Sequence, residues 1–293
     1  MDILINVLEQ GLIFAIVSLG VYITYKILDF PDLSVDGTFP LGAAVTATLI
    51  VKGVDPFVAC FISFIAGCIG GLITGLLHVK LKITNLLSGI LVMIALYSIN
   101  LRIMKRSNIP LFGEKTIFSS SISPLIIIAI FAILSKILLD LFLKTKLGFL
   151  LKAVGDNEQL VSSLGVNKDV IKVIGLMISN GLVALAGSLM AQQGGFADVG
   201  MGTGTVVIGL AAVIMGESIL GRMNFIKAST MAILGSVLYK GAIALALRLG
   251  LQSTDLKLIT AVIVVITLSL DGKPFNFKTK KKSIVGGESV VNN

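Results

Sequence analysis

Residues that commonly build metal or catalytic centres are scarce in this chain. It has one histidine, His78, and two cysteines, Cys60 and Cys68, which lie in one apolar run. Neither cysteine has a Cys or His neighbour at metal-ligand spacing, so we interpret both as small buried residues rather than as a disulfide or a metal site. A single histidine argues against a His-based metal centre or proton relay. We therefore expect no metal, no cofactor and no catalytic residue.

Charged side chains are also scarce. They make up 14% of the 293 residues, against 55% hydrophobic residues, whereas soluble domains carry about 25% charged residues. The mean hydropathy is +1.00. Several apolar runs approach or exceed the ~20 residues that cross ~30 Å of hydrocarbon. The composition therefore predicts a protein whose solvent is lipid.

The net charge of +8 does not indicate nucleic acid, because Lys and Arg lie in short loops and in the C-terminal stretch. The positive-inside rule predicts this distribution for a membrane protein, so we expect membrane lipid and no nucleic acid as a partner. The opening MDILINVLEQ lacks Lys and Arg. A cleavable signal with a basic start is therefore not expected, and the first span should remain in the mature protein.

Nine apolar segments predict an all-α fold, a polytopic transmembrane helical bundle of about 8–10 spans. Helix-start signals such as Asp55-Pro56, Ser123-Pro124 and Asn167 precede three of them. If every segment crosses and the C-terminus is cytoplasmic, Lys and Arg favour the cytoplasmic loops by about two to one. We thus expect a multi-pass plasma-membrane domain over residues 1–272 and a disordered, basic cytoplasmic tail over residues 273–293. The segments lie at about 10–28, 39–51, 56–77, 83–103, 122–143, 170–192, 203–220, 224–249 and 257–270.

Two segments are interrupted. The apolar part of the second, Phe39 to Val51, reaches only ~20 Å as a helix, so residues 29–37 should be non-helical backbone against protein or water. In the seventh, five glycines between positions 194 and 204 precede a short helix that ends at Glu217. Each comes second in its half of the chain, and the halves run in opposite directions, which predicts an inverted pseudo-repeat around a transport path. Ordinary glycine packing with accidental symmetry is the alternative.

A polar stretch, KAVGDNEQLVSSLGVNKD at residues 152–169, separates the fifth and sixth segments. We predict a change of direction at Gly155 and then an amphipathic helix of about two turns, capped by Asp156 or Asn157 and ended by Gly165 in the left-handed conformation. So short a helix needs something to pack against. A helix resting on the bilayer surface is the alternative that these residues leave open. The apolar stripe consists of Leu160, Val161 and Leu164.

The region from Lys144 to Phe196 resembles permeases of the branched-chain amino acid and ribose class of ABC importers. That family's loop pattern is T-x-x-G-x-x-L-[RK]-A-x-G-x-N-x-x-x-[AV]-x-x-x-G-[IV]. "DLSVDGTFPLGAA" near the N-terminus resembles a subgroup that accompanies lipoproteins binding amino acids, including aromatic ones. The resemblance covers residues 29 to about 270. The loop pattern is met by Thr145, Gly148, Leu151, Lys152, Ala153, Gly155, Asn157, Val161, Gly165 and Val166.

The resemblance implies the permease subunit of an ATP-binding cassette importer that moves a small solute inward, an amino acid and within that class an aromatic one. Two permeases, identical or different, would form a dimer supplied by an extracellular substrate-binding lipoprotein. Each would present a coupling helix at about 149–166 to a cytoplasmic ATPase. The chain lacks G-x-x-x-x-G-K-[ST], so ATP hydrolysis is expected on a separate subunit and the chain is not expected to be an enzyme. The implied coupling residues are Lys152, Gly155, Asp156, Asn157, Glu158, Leu160, Leu164 and Gly165.

Polar residues within the spans are candidates for the translocation path. Lys240 should face protein, water or a carboxylate, with Glu217 as the candidate partner, and it serves either an ion pair or the path. Lys136 and Asp140 should pair with each other. If the substrate is a zwitterion, an Asp would meet its ammonium and the helix after Gly204 would offer N–H groups to its carboxylate. The path candidates are Asp32, Ser34, Asp36, Thr38, Gly202, Gly204, Glu217 and Lys240.

The first four of these path candidates have a simpler interpretation as caps of the short helix that they begin. An ion-coupled secondary transporter with inverted repeats is the alternative function, although it gives no reason for a docking helix in the loop. An intramembrane enzyme would need a Ser/Lys, His/metal or paired-Asp site, and the single histidine and scattered carboxylates argue against it.

Overall fold

A computed structural model describes residues 2–221, 226–250 and 255–270 and confirms the all-α fold class. Within those ranges, six helices are long and apolar enough to cross a membrane, and two apolar helices are shorter. The short ones are the two interrupted segments. In chain order the helices are α1 (Asp2–Tyr22), α2 (Val35–Val51), α3 (Pro56–Val79), α4 (Asn85–Met104), α5 (Pro124–Phe142), α6 (Lys146–Asp156), α7 (Glu158–Ser163), α8 (Lys168–Gly194), α9 (Thr205–Leu220), α10 (Ala228–Arg248) and α11 (Leu256–Leu270).

Local signals explain where the helices begin. The carboxylate of Asp55 accepts the N–H groups of Phe57 and Val58, with Pro56 at the first position of α3. The side chain of Asn167 caps α8 in the same way. These caps satisfy N–H groups that have no partner within the helix. The predicted helix starts at Pro56 and after Asn167 are therefore confirmed, as is the start of α5 at Pro124.

The non-helical stretch before α2 is shorter than predicted. The helix begins at Val35, so the expectation that residues 29–37 are all non-helical is wrong for 35–37. The reason is local: the Asp32 carboxylate accepts the N–H of Ser34, which helps turn the chain into α2 early. Before it, residues Ile23–Ile27 extend α1 as a π-helical turn. At 17 residues, α2 spans about 25 Å, still short of a full crossing.

Backbone-to-backbone packing holds the bundle together. A Cβ at Gly42 of α2 would collide with the carbonyl of Ala184 in α8, and one at Gly71 of α3 would collide with that of Leu176. In membranes, small residues at helix interfaces allow this close approach and the dispersion contacts that follow from it. The helices α2, α3 and α8 form one such group. A second group consists of α1, α9 and α10, where Gly235 lies against α9.

The two ends of the bundle differ. At one end, strands β1 (Asn108–Pro110) and β2 (Phe196–Asp198) pair antiparallel, with Ile109 opposite Ala197. We call this the hairpin end. At the other, the loop-helix end, α6 and α7 pack beneath α8 and the π-helical turn after α1. The predicted tail, residues 273–293, lies outside the described residues, and the inverted pseudo-repeat stays a prediction.

Candidate functional site

The N-termini of the two short helices meet inside the bundle, at a place that we call the helix junction. Asp36, in the first turn of α2, accepts the N–H of Gly204 at 2.9 Å and the N–H of Val206 at 2.8 Å. The backbone of Gly202 packs directly on that of Asp36. The interpretation of Asp36 as a cap of its own helix is therefore wrong. It caps α9, in the other half of the chain, because its carboxylate satisfies free N–H groups at the start of that helix.

Asp36 also changes what the N-terminus of α9 can bind. The N–H groups after Gly204 were expected to receive a substrate carboxylate. In this structure the chain's own carboxylate occupies them. The expected anion site is thus filled by Asp36, and any substrate near the junction meets an acid-capped helix rather than a free one.

A buried polar cluster joins the start of α2 to the middle of α8 through Asn180. The Asn180 side-chain nitrogen donates to Asp32 at 2.8 Å, and its oxygen accepts from Ser34 at 3.1 Å and from Thr38 at 2.7 Å. All four side chains are buried. A buried polar group is stable when hydrogen-bonded, and each of these has a partner. The sequence predicted Asp32, Ser34 and Thr38 as site residues but not Asn180, whose only signal was an amide in the middle of an apolar span.

One cavity of the bundle, of about 410 Å³ and with almost purely apolar walls, lies between α3, α5 and α8. Another adjoins the helix junction. That cavity, of about 500 Å³, lies between α2, α4 and the chain before α9, with Asp36 and Thr203 in its wall. Asn100 of α4 is fully buried there and donates to the carbonyl of Gly37 at 3.2 Å. Among the residues that the structure describes, its side-chain oxygen has no hydrogen-bond partner. No residue of α4 was predicted for the path.

Lys240 and Glu217 do not pair with each other, so that expectation is wrong. Glu217 binds Lys26 at 2.9 Å near the loop-helix end. The Lys240 ammonium lies 3.8 Å from the centre of the Phe14 ring, a distance at which the ring face attracts a cation. Lys240 lies more than half way along α10, too deep to reach the end of α9 where Glu217 lies.

The predicted pair in α5 is confirmed, but it is part of a larger contact. Lys136 binds Asp140 at 2.9 Å, and Asp140 also accepts from Lys227 at 3.1 Å and from Ser229. The last two residues lie at the start of α10. Asp140 therefore ties α5 to α10 near the loop-helix end.

The polar stretch 152–169 folds as predicted at its caps. The Asn157 side chain accepts the N–H groups of Gln159 and Leu160 at 3.1 Å each, and Gly165 follows α7 with φ 74°. Gly155 does not turn the chain, contrary to expectation. It lies inside α6, where a Cβ would collide with the carbonyl of Ile27. The change of direction falls at Asn157, whose backbone is extended.

Glu158 anchors α7 to α8 through two lysines. It binds Lys168 at 2.9 Å and also pairs with Lys172, whose side chain is largely buried. The hydrogen bond from Lys172 holds the pKa of Glu158 below its ordinary value. Lys152 and Asp156 are exposed at the same end of the bundle.

The apolar stripe of α7 divides into a buried and an exposed part. Val161 is fully buried, whereas Leu160 is 56% exposed and Leu164 is 70% exposed. Phe149 on α6 is 72% exposed. Val161 thus meets the predicted need for packing, whereas the two leucines of α7 and Phe149 of α6 leave an apolar surface on helices whose ends are capped. We call Phe149, Leu160 and Leu164 the exposed loop patch.

Comparison with known proteins gives a consistent result. A tyrosine transport system permease protein of Clostridioides difficile (strain R20291) is 53% identical over 96% of this chain and 96% of its own length. An uncharacterized protein of Rickettsia prowazekii (strain Madrid E) is 40% identical over 92% of this chain and 98% of its own length. The ribose import permease protein RbsC of Escherichia coli (strain K12) is 25% identical over 92% of this chain and 85% of its own length. No solved structure matches.

The family model described as "Branched-chain amino acid transport system / permease component" matches residues 3–269, nearly the whole described part of the chain. Its match extends over both interrupted helices, the helix junction and the loop helices. With the multi-pass helical fold and the 53% identical relative, this shows that the chain belongs to the family of branched-chain amino acid transport permeases.

Proposed function

We propose that this chain is the membrane subunit of an ATP-driven importer for an amino acid with an aromatic side chain, tyrosine in the first instance. The observation that carries the proposal is the exposed loop patch, which lies on α6 and on α7, a helix whose ends are capped and whose Glu158 is ion-paired. The 53% identical tyrosine transport permease supports the substrate class. ATP hydrolysis belongs to a separate cytoplasmic ATPase, and the loop-helix end and the C-terminus face the cytoplasm.

The physics of α7 favours a protein partner. A six-residue helix is not stable alone in water, so its shape depends on the Asn157 cap, on Glu158 and on the burial of Val161. With these in place, docking requires little further ordering. Covering an exposed leucine or phenylalanine stabilises a complex by about 1.5–3 kcal/mol each. A groove on the ATPase that buries Leu160 and Leu164 would therefore bind a helix that is already formed.

The coupling route follows from what α6 and α7 contact. Gly155 lies against the carbonyl of Ile27, just before the irregular stretch that leads into α2. Glu158 is paired to α8, which carries Asn180 of the buried polar cluster at the start of α2. A displacement of the loop helices therefore reaches the helix junction through packed backbone and one rigid helix. We propose this as the path by which the ATPase moves the membrane part.

The hairpin end suits the second partner, the extracellular substrate-binding lipoprotein. Lys105, Arg106 and Lys115 are exposed there, as is Phe112, which is 81% exposed on the loop after β1. A partner with acidic residues around an apolar recess would fit this surface. A pair of permeases, identical in the simplest assembly, would place two such surfaces side by side.

The test is co-expression with the ATPase and the binding lipoprotein encoded beside this chain, followed by purification through a tag on the permease. Leu160→Ser combined with Leu164→Ser should abolish ATPase co-purification and ATP-driven tyrosine uptake into proteoliposomes. Ser163→Ala on the same helix is the matched control and should behave as the unmodified chain. Intact docking of the double variant, or ATP-independent uptake by the permease alone, would contradict the proposal.

A further inference from the structure

We propose that the cavity beside the helix junction is a transient binding site for the transported amino acid, with its ammonium group at Asn100 and its side chain against the apolar wall. The inference rests on the proposed function and gives it a location. The cavity is lined by Asp36, Gly37, Pro40, Met93, Ile94, Tyr97, Ser98, Asn100, Val199, Gly200 and Thr203.

The cavity lies near the middle of the bundle. Asp36 in its wall is part of the junction, and the neighbouring Ser34 and Thr38 bind Asn180 half way along α8. A helix of 27 residues is about 40 Å long, so its middle falls near the centre of a ~30 Å hydrocarbon layer. A site between two interrupted helices at this depth is open to both sides in turn when the helices move.

The walls exclude lipid as the normal occupant. The chain between Val199 and Gly204 is non-helical, and Ser98, Gly200 and Thr203 are exposed at the cavity. Non-helical backbone at membrane depth is stable only against protein or water. The opening therefore faces an aqueous path or a second permease.

The charge at the cavity favours a cation. The two hydrogen bonds to Asp36 come from an α-helix N-terminus, whose dipole is equivalent to about half a positive charge. The dipole offsets only part of the carboxylate's charge beside the cavity. The buried oxygen of Asn100 in the same wall lacks a donor among the described residues. An ammonium group supplies both the charge and the donor that this wall lacks.

The rest of the lining suits the other parts of the same molecule. The hydroxyls of Tyr97 and Ser98 can donate to a carboxylate, while Met93, Ile94 and Pro40 offer an apolar surface to a side chain. A mostly apolar lining with a few polar groups, and a volume of about 500 Å³, are typical of small-molecule sites. Few charges converge here, so binding is weak, as a substrate that must leave again requires.

Cysteine labelling tests the site directly in the complete importer. Ser98→Cys should react with a membrane-impermeant methanethiosulfonate reagent, and L-phenylalanine or L-tyrosine should slow this reaction several-fold during turnover. 3-Phenylpropanoate, which lacks the ammonium group, should not slow it. Ile99→Cys on the neighbouring face of α4 is the matched control, and the unmodified chain, with a buried Cys60 and a half-buried Cys68, is the blank that measures background labelling. Absence of reaction at position 98, or reaction that neither amino acid slows, would overturn the site.

Transport provides the second readout. Asn100→Leu removes the acceptor at similar volume and should raise the KM for uptake about tenfold, because a hydrogen bond to a charged group is lost. ATPase co-purification should be unchanged. Normal uptake kinetics in this variant would overturn the role of Asn100. Absence of amino acid uptake by the unmodified importer would instead overturn the proposed function, so the two failures are distinguishable.

Discussion

The helix junction and the loop helices both consist of short helices, yet they are stabilised in opposite ways. At the junction, Asn180 is buried and Asp36 is half-buried, and glycine contacts bring backbones together. In the loop, Asn157 and Glu158 form local caps and surface ion pairs while Leu160 stays exposed. The hydrogen bonds of Asp36 and Asn180 are made to other residues of this chain. The loop is ordered but incomplete, which is what a docking element for another protein requires.

This difference predicts where substitutions act. Changes at the junction should disturb folding and transport together, because its hydrogen bonds join two halves of the chain. Changes on the exposed loop patch should leave folding intact and remove partner binding. Each prediction below tests one side of that contrast.

The largest effect is expected from Gly42→Val in α2. The added side chain collides with the backbone of Ala184, and such a clash cannot be relieved by turning a flexible side chain. We expect a loss of at least about 3 kcal/mol of stability and little monodisperse protein on size exclusion in detergent. Gly241→Ala is the matched control, because nothing lies within 4 Å of its added Cβ. Equal yields of the two variants would contradict the close backbone contact between α2 and α8 at Gly42.

Asp36→Ala should lower stability by about 1–2 kcal/mol, since it leaves N–H groups of α9 without an acceptor. Asp55→Ala removes the cap of α3 and is the matched control. Both should lower the unfolding temperature in detergent, but only the Asp36 variant should also lose uptake. Equal uptake by both would show that the link between the halves has no role in transport.

Glu158→Gln should weaken ATPase binding about threefold in a pull-down titration, because the pair with Lys172 holds α7 in place. Asp156→Asn, an exposed neighbour, should have no effect. The pKa of Glu158 is lowered, so its anchoring is complete above the ordinary glutamate value and is lost only as the pH falls through the lowered one. ATPase binding should therefore not change with pH near neutrality. A loss of binding as the pH is lowered from neutral to mildly acidic would contradict the role of Glu158 as the anchor of α7.

The smallest effect is expected from Lys26→Gln. The Lys26 side chain is 46% exposed, and exposed ion pairs contribute less than about 1 kcal/mol. The unfolding temperature should change little, and the small difference should vanish at high salt. A large loss would mean that Glu217 is more important for the position of α9 than its exposure suggests.

Much of the fold could be predicted because its signals are local. An apolar run of sufficient length specifies a spanning helix, and Asp55, Asn157 and Asn167 cap helices that begin one residue later. Gly165 adopts the left-handed conformation expected from its place after a helix. Each of these caps depends on residues within one helical turn, so the local sequence is sufficient to predict it.

The rest of the candidate site could not be predicted because it depends on contacts between distant residues. Asp36 looks like a cap for α2 until α9 is placed beside it, 168 residues later in the chain. Gly155 looks like a turn residue until Ile27 is found against it. Asn100 carries no signal beyond being an amide in an apolar helix.

By itself, the sequence of this protein determined the membrane fold, the helix ends and the presence of a capped polar helix between two spans. Hydrophobic length and capping are properties of neighbouring residues, and they act before any tertiary contact forms. Only the tertiary structure decided that the caps at the helix junction cross between the two halves, and that Leu160 and Leu164 stay uncovered while Val161 does not. Those outcomes depend on which backbones approach closely enough to exclude water and lipid, and glycine positions far apart in the chain control that approach.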